Sequence, residues 1–171
     1  MTTLTEQVDA AISWTLAIRG VPARNADRAV LARATQPQHF AAAFSVLAGA
    51  GHLRDVPPKV RHGAVLACAL AAENRRVPNG TARLGAAFRR IDSPNIGTIL
   101  ANVTGSSLAV TTRLLGSLVR RAGAAGADVN FYDLGRTLAF WDTGTNTARR
   151  THRSRIVYDF HSTSKPEEAA R

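Results

Sequence analysis

A single cysteine, Cys68, stands in the whole chain of 171 residues. It excludes an internal disulfide and any cysteine-cluster metal site. Cys68 sits in the apolar run Gly63–Ala72 and reads as a small core residue. Aromatics are also few: two Trp, two Tyr and six Phe. Most of them, including Phe44, Phe88, Phe131 and Phe160, fall on apolar stripes, which leaves little to stack on exposed bases. No apolar stretch is long enough to span a bilayer, so no membrane partner is expected. No basic segment followed by an apolar one opens the chain, so no signal peptide is expected and cytoplasm is the expected location. No segment alternates with period two for the length of a strand. Heptads, internal repeats and low-complexity blocks are missing too.

Acidic residues are scarce as well, at 12 against 22 cations, which gives a formal charge of +10. Only Lys59 and Lys165 of those cations are lysine. Arginine makes planar bidentate contacts with phosphate, so a polyanionic partner is expected, nucleic acid ahead of a membrane surface or an acidic protein.

What is present is helical periodicity, and the expected fold is all-α, with eight or nine short helices in two packed bundles. Leu4, Val8, Ile12 and Leu16 recur at helical spacing over residues 4–18, before Gly20 and Pro22. Asn25 can cap a short helix that runs through Arg33. Phe40, Phe44 and Leu47 form one stripe from Pro37 to about residue 47. Pro57 and Pro58 open a helix that is apolar all round from Gly63 to Ala72, a buried central element. Its first turn is crowded by Lys59, Arg61 and His62, where the helix dipole disfavours cations. Arg75 and Arg76 lie in a basic turn. Leu84 and Phe88 point one way on the next helix. Residues 91–94 are the expected hinge, so residues 1–92 and 93–161 read as two helical bundles, with a polar tail at 162–171.

In the second half, a weak helix carries Ile96, Ile99, Leu100 and Val103. A clearer one spans 107–121, with Leu108, Leu115 and Val119 on one side and Arg113 and Arg120, seven apart, on the other. Asn130 can cap a helix in which Phe131, Leu134, Leu138 and Trp141 share a face. A turn at 143–146 leads into the last helix, capped by Asn146 or Thr147. That helix begins Arg149-Arg150-Thr151-His152-Arg153 and ends in an apolar run through Ile156, Val157 and Phe160. Its arginines occupy the positive end of the dipole, a penalty that a bound anion would reverse. The expected geometry anchors its last turns in the core and projects its first turn toward phosphate.

Reactive chemistry is not indicated. His39, His52, His62, His152 and His161 have no metal-ligand spacing. His62 and His152 each lie among arginines and are expected to face phosphate. Asp142 and Asp159 do not pair convincingly. Gly49-Ala-Gly51 follows a helix rather than a strand, so it is no dinucleotide loop. Ser106 and Ser107 sit in no nucleophile elbow. The chain therefore reads as a non-enzyme, with no catalytic residue, metal or cofactor. The residues expected to touch nucleic acid are the clusters Lys59/Arg61, Arg75/Arg76, Arg113/Arg120 and Arg149/Arg150/Arg153. They would form a phosphate-following stripe without base readout.

The order of these segments is familiar. Arg61-His-Gly-Ala-Val-Leu-Ala-Cys-Ala-Leu70 precedes Leu84-Gly-Ala-Ala-Phe-Arg-Arg-Ile91. Then come Leu115-Gly-Ser-Leu-Val-Arg-Arg121, Phe131–Asp142 with its Trp-Asp end, and the multi-Arg helix closing in Tyr158-Asp-Phe160. Over about residues 10–161 the set resembles the CasB family, the small subunit of the type I-E CRISPR Cascade complex. The resemblance implies a non-catalytic, two-bundle protein present in two copies beside guide RNA and larger subunits. It also implies a basic surface that holds R-loop DNA, notably the displaced non-target strand, in antiviral defence. Positions matching the family's basic sites are Arg33, Lys59 and Arg61, Arg75 or Arg76, Arg120 or Arg121, and Arg149, Arg150 and Arg153. One segment departs: relatives often carry arginines after the Leu-Gly helix, where this chain has Pro94–Val103. That helix is expected to make no DNA contact, or a polar one through Asn95 or Asn102. The competing reading is a stand-alone helical transcriptional regulator with a recognition helix. It would need Asn or Gln beside Arg on one exposed helix face, and no helix supplies that convincingly.

Overall fold

The computed structural model describes residues 2–162, and it is all-α. Among the described residues there are nine α-helices and no strand: α1 (Leu4–Ile18), α2 (Asn25–Ala32), α3 (Phe40–Gly49), α4 (Pro58–Glu73), α5 (Leu84–Phe88), α6 (Ile96–Thr104), α7 (Leu108–Ala124), α8 (Phe131–Ala139) and α9 (Asn146–His161). Single 3₁₀ turns at Pro22–Arg24 and Pro37–His39 lead into α2 and α3. Residues 163–171, most of the expected tail, lie outside the described residues.

Local chemistry sets the ends. Thr3 and Glu6 make a reciprocal capping box at the start of α1. Ser107 caps α7 and Asn130 caps α8. Two expected caps differ. Asn25 is already inside α2, which grows directly from the preceding 3₁₀ turn and has no side-chain cap. The cap of α9 is Thr145, whose Oγ1 accepts from the Ala148 N–H; Asn146 and Thr147 are its first helical residues.

The core is one continuous cluster reaching from Val8 to Ile156. Helix α4 is its axis: every residue from Gly63 to Ala72 is buried. Its main neighbours are α8, α2 and α1, while α5 and α6 pack mainly on α9. Two glycines permit the closest crossings. A Cβ on Gly63 would overlap the Leu138 carbonyl, and one on Gly85 would overlap the α9 backbone at Ile156. The glycine of the Leu-Gly pair is therefore the seat of α9. Trp141, Phe88 and Phe131 are the largest fully buried side chains, each stabilising the fold by roughly 2–3 kcal/mol of removed apolar surface. Trp141 lies just past the end of α8 rather than in it, with its indole N–H donating to the Ser106 carbonyl at 3.1 Å.

Candidate nucleic-acid interface

The basic turn after α4 is held by its backbone, which frees its side chains. Asn74 ends α4, and its amide donates to the Leu70 carbonyl at 2.8 Å. Arg19, just past the end of α1, then donates to the carbonyls of Arg75 (3.0 Å) and Val77 (2.6 Å). Its guanidinium lies 5.0 Å from the Phe131 ring centroid, and burial holds its pKa below the ordinary arginine value. Further along, the Gly80 N–H donates to the Val129 carbonyl and the Val129 N–H to the Pro78 carbonyl, both at 3.0 Å, and Asn79 Oδ1 accepts from the Phe131 N–H. The turn is thus sewn to the start of α8. The side chains of Arg75 and Arg76 are exposed and form no ion pair among the described residues.

Helix α7 runs beside the second half of α4, with Gly116 against Leu70. Arg113 and Arg120 are two turns apart and line one cleft with Glu73. Thr35 lies at this cleft too, two residues beyond the exposed Arg33. Glu73 and Arg120 also line the adjoining depression that carries Arg75 and Arg76. Arg113, Arg120, Arg75 and Arg76 therefore form one run along the α4–α7 seam, interrupted by a single carboxylate. Glu73 pairs with Arg120 at 3.1 Å, and both side chains are well exposed. Such a pair is worth roughly 0–1 kcal/mol, so a phosphate can compete for that arginine. Arg121 is exposed on the neighbouring face of α7.

The other expected residues divide differently. Lys59 is exposed at the first turn of α4, about 21 Å along the helix from Glu73 by the rise per residue. Arg61 turns inward. Its guanidinium donates to the carbonyls of Val56 (2.9 and 3.2 Å) and Arg54 (3.3 Å) and covers the Phe44 ring at 4.7 Å. Arg153 does the same in α9: it donates to the Trp141 carbonyl at 3.1 Å and to Asp142 at 2.6 Å, over the Trp141 ring at 4.8 Å. Arg149 donates to the Gly144 carbonyl at 3.3 Å, and its Nε is buried. The His152 ring lies 3.0 Å from the Thr137 carbonyl rather than facing outward. The first turns of α9 are thus tied down, and of its three expected arginines Arg150 alone is exposed. His62 lies against the Phe40 ring at 4.6 Å. Asp142 and Asp159 are spent on separate arginines, Arg153 for the first and Arg83 and Arg155 for the second.

Arg19 and Glu73 escaped the sequence reading. Arg19 follows Ile12 by seven and Val8 by eleven, which puts a cation on the buried face of α1. That misplacement was a legible signal. Glu73 sits at the end of a helix whose other end carries the cations, and nothing in its neighbours marks it as a groove residue. Cys68 is fully buried, and desolvation pushes its thiol up to about 12, so it has no thiolate with which to react. Asn95 and Asn102 are exposed at α6, which carries no cation of its own.

The family model described as CRISPR-associated protein Cse2 matches residues 27–161. No curated protein and no solved structure matches the chain.

Proposed function

This chain belongs to the Cse2 family of CRISPR-associated proteins, the CasB family of type I-E Cascade, and from that membership we propose that it is the non-catalytic small subunit that grips the backbone of R-loop DNA. Membership itself implies a Cascade subunit among other subunits and nucleic acid. The finer reading rests on the α4–α7 seam, where four arginines face one carboxylate in an open groove. A groove of guanidinium groups attracts phosphate through charge and fork geometry, and reads no sequence. Arg33, two residues before the cleft residue Thr35, and Arg121, next to Arg120 on the neighbouring face of α7, are taken as flanking contacts, and Lys59 and Arg150 as outlying ones. Arg61, Arg149 and Arg153 act on the fold, so their part in binding is indirect. The displaced non-target strand is the natural ligand, because holding it opposes reannealing of a nearly balanced duplex-for-heteroduplex exchange.

The test is binding of labelled single-stranded DNA by the full chain, measured by fluorescence anisotropy over a range of salt. Unrelated sequences should bind alike, with a steep loss of affinity as salt rises. In a reconstituted complex, alanine at Arg75, Arg76 and Arg113 should shorten R-loop lifetime. Sequence-selective binding, or an R-loop indifferent to those substitutions, would overturn the proposal.

A further inference from the structure

Tyr158 is 73% exposed, and it is the one exposed aromatic side chain among the described residues. Its neighbours explain why this is not an accident of helix packing. Ile156 is buried, and Val157 and Phe160 pack on the core. Tyr158 follows Ile156 by two residues, about 200° around α9, so it points directly away from the body. Thr151, Ser154 and Arg155 fall within about 60° of it on the same outward face, and Arg150 within about 80°. The same residues line one open depression with Ala148 and His152, and no acid is among them. The nearest carboxylate in sequence, Asp159, is turned inward to Arg83 and Arg155. Arg155 is itself half exposed, steadied at 3.7–3.8 Å by Asp159 and Asp133.

This face combines a flat aromatic surface, two cations and two hydroxyls, and the two carboxylates beside Arg155, those of Asp133 and Asp159, are largely buried. An unpaired nucleotide offers the complement: a base to stack and a phosphate to pair. A duplex cannot present its base faces, because they are already stacked. We propose that Tyr158 is a stacking platform for an unpaired base, with Arg150 and Arg155 holding the flanking phosphates, so that α9 distinguishes single-stranded from duplex nucleic acid. This rests on the backbone-binding reading above, to which it adds base stacking and a second contact surface.

The probe is a labelled oligo(dT) strand and a duplex of equal length, measured with the full chain carrying Tyr158→Ala, Tyr158→Leu or Tyr158→Phe. The alanine and leucine variants should lose roughly five- to one-hundred-and-fifty-fold in affinity for the single strand. Their duplex affinity should stay level, and their salt slope should match the parent's because stacking carries no charge. The phenylalanine variant should bind like the parent. Equal single-strand affinity in all variants overturns the inference, and leaves the groove reading intact if arginine substitutions there still flatten the salt slope. Oligonucleotide binding that survives Tyr158→Ala, while co-assembly with larger subunits is lost, would instead assign this face to a protein partner and overturn it too.

Discussion

Replacing Arg75, Arg76 and Arg113 with alanine isolates the charge of the seam from its architecture. All three side chains are exposed and form no ion pair among the described residues. The backbone contact that pins the turn comes from Arg19 to the Arg75 and Val77 carbonyls, and alanine keeps those carbonyls. Stability should therefore move by no more than about 0.5 kcal/mol per substitution, about 1.5 kcal/mol for the three together, or at most roughly 6 °C in Tm for a chain of this size. Binding should change far more. Each phosphate neutralised on a single strand contributes about 0.7 to the slope of log affinity on log salt, so three lost contacts flatten it by about 2.1. Between about 50 and 200 mM salt the parent would then lose roughly twentyfold more affinity than the variant. Anisotropy titrations of one labelled strand at several salt concentrations give both slopes. Parallel lines with intact folding would refute the assignment. Lysine at the same three positions should retain most of the slope, because the count of neutralised phosphates depends on charge.

Three other perturbations separate the roles of neighbouring residues. Glu73→Gln removes the one carboxylate of the groove and should tighten single-strand binding, most visibly at low salt; weaker binding would show that the Glu73–Arg120 pair organises the site. Arg153→Ala should cost about 2–3 kcal/mol in denaturant unfolding, because it strips a charge-assisted bond from Asp142, a bond from the Trp141 carbonyl and the cation over the indole, while the salt slope stays near the parent's. Cys68, with its folded pKa raised to about 12 from an unfolded value near 8.5, contributes stability below the unfolded value that is lost as pH climbs between the two; Cys68→Ala should show a shallower alkaline decline, and thiol labelling of the parent should follow global unfolding.

The apolar pattern carried most of the architecture. Phe131, Leu134 and Leu138 are all fully buried on α8, and Gly63–Ala72 is buried throughout, because periodicity records which side of a helix leaves water. The same rule put Arg113 and Arg120 on one face of α7, and the structure has both on one cleft. Arginine was harder to read. Arg61 and Arg153 look as cationic in sequence as Arg75 and Arg113, yet both bend back onto carbonyls and aromatic rings. Their partners, Val56 and Trp141, belong to irregular segments beside α4 and α8, where no helical N–H takes up their carbonyls. Helix periodicity says nothing about where such carbonyls point. A long side chain with five donors settles wherever those carbonyls are, so only tertiary structure separates an arginine that holds the fold from one that holds a ligand. Thr145, one residue outside the expected cap, shows a smaller version of the same limit, since Thr145, Asn146 and Thr147 in a row are chemically equivalent caps until the entry angle of the chain is known.

Arginine footprinting bears most directly on the account. Phenylglyoxal modifies accessible guanidinium groups, and peptide mass spectrometry reads each one with and without bound single-stranded DNA. The account predicts protection of Arg75, Arg76, Arg113 and Arg120 on binding, with Arg61, held by the Val56 and Arg54 carbonyls at the other end of α4, modified equally in both states. Uniform reactivity across the seam while DNA is demonstrably bound would contradict it.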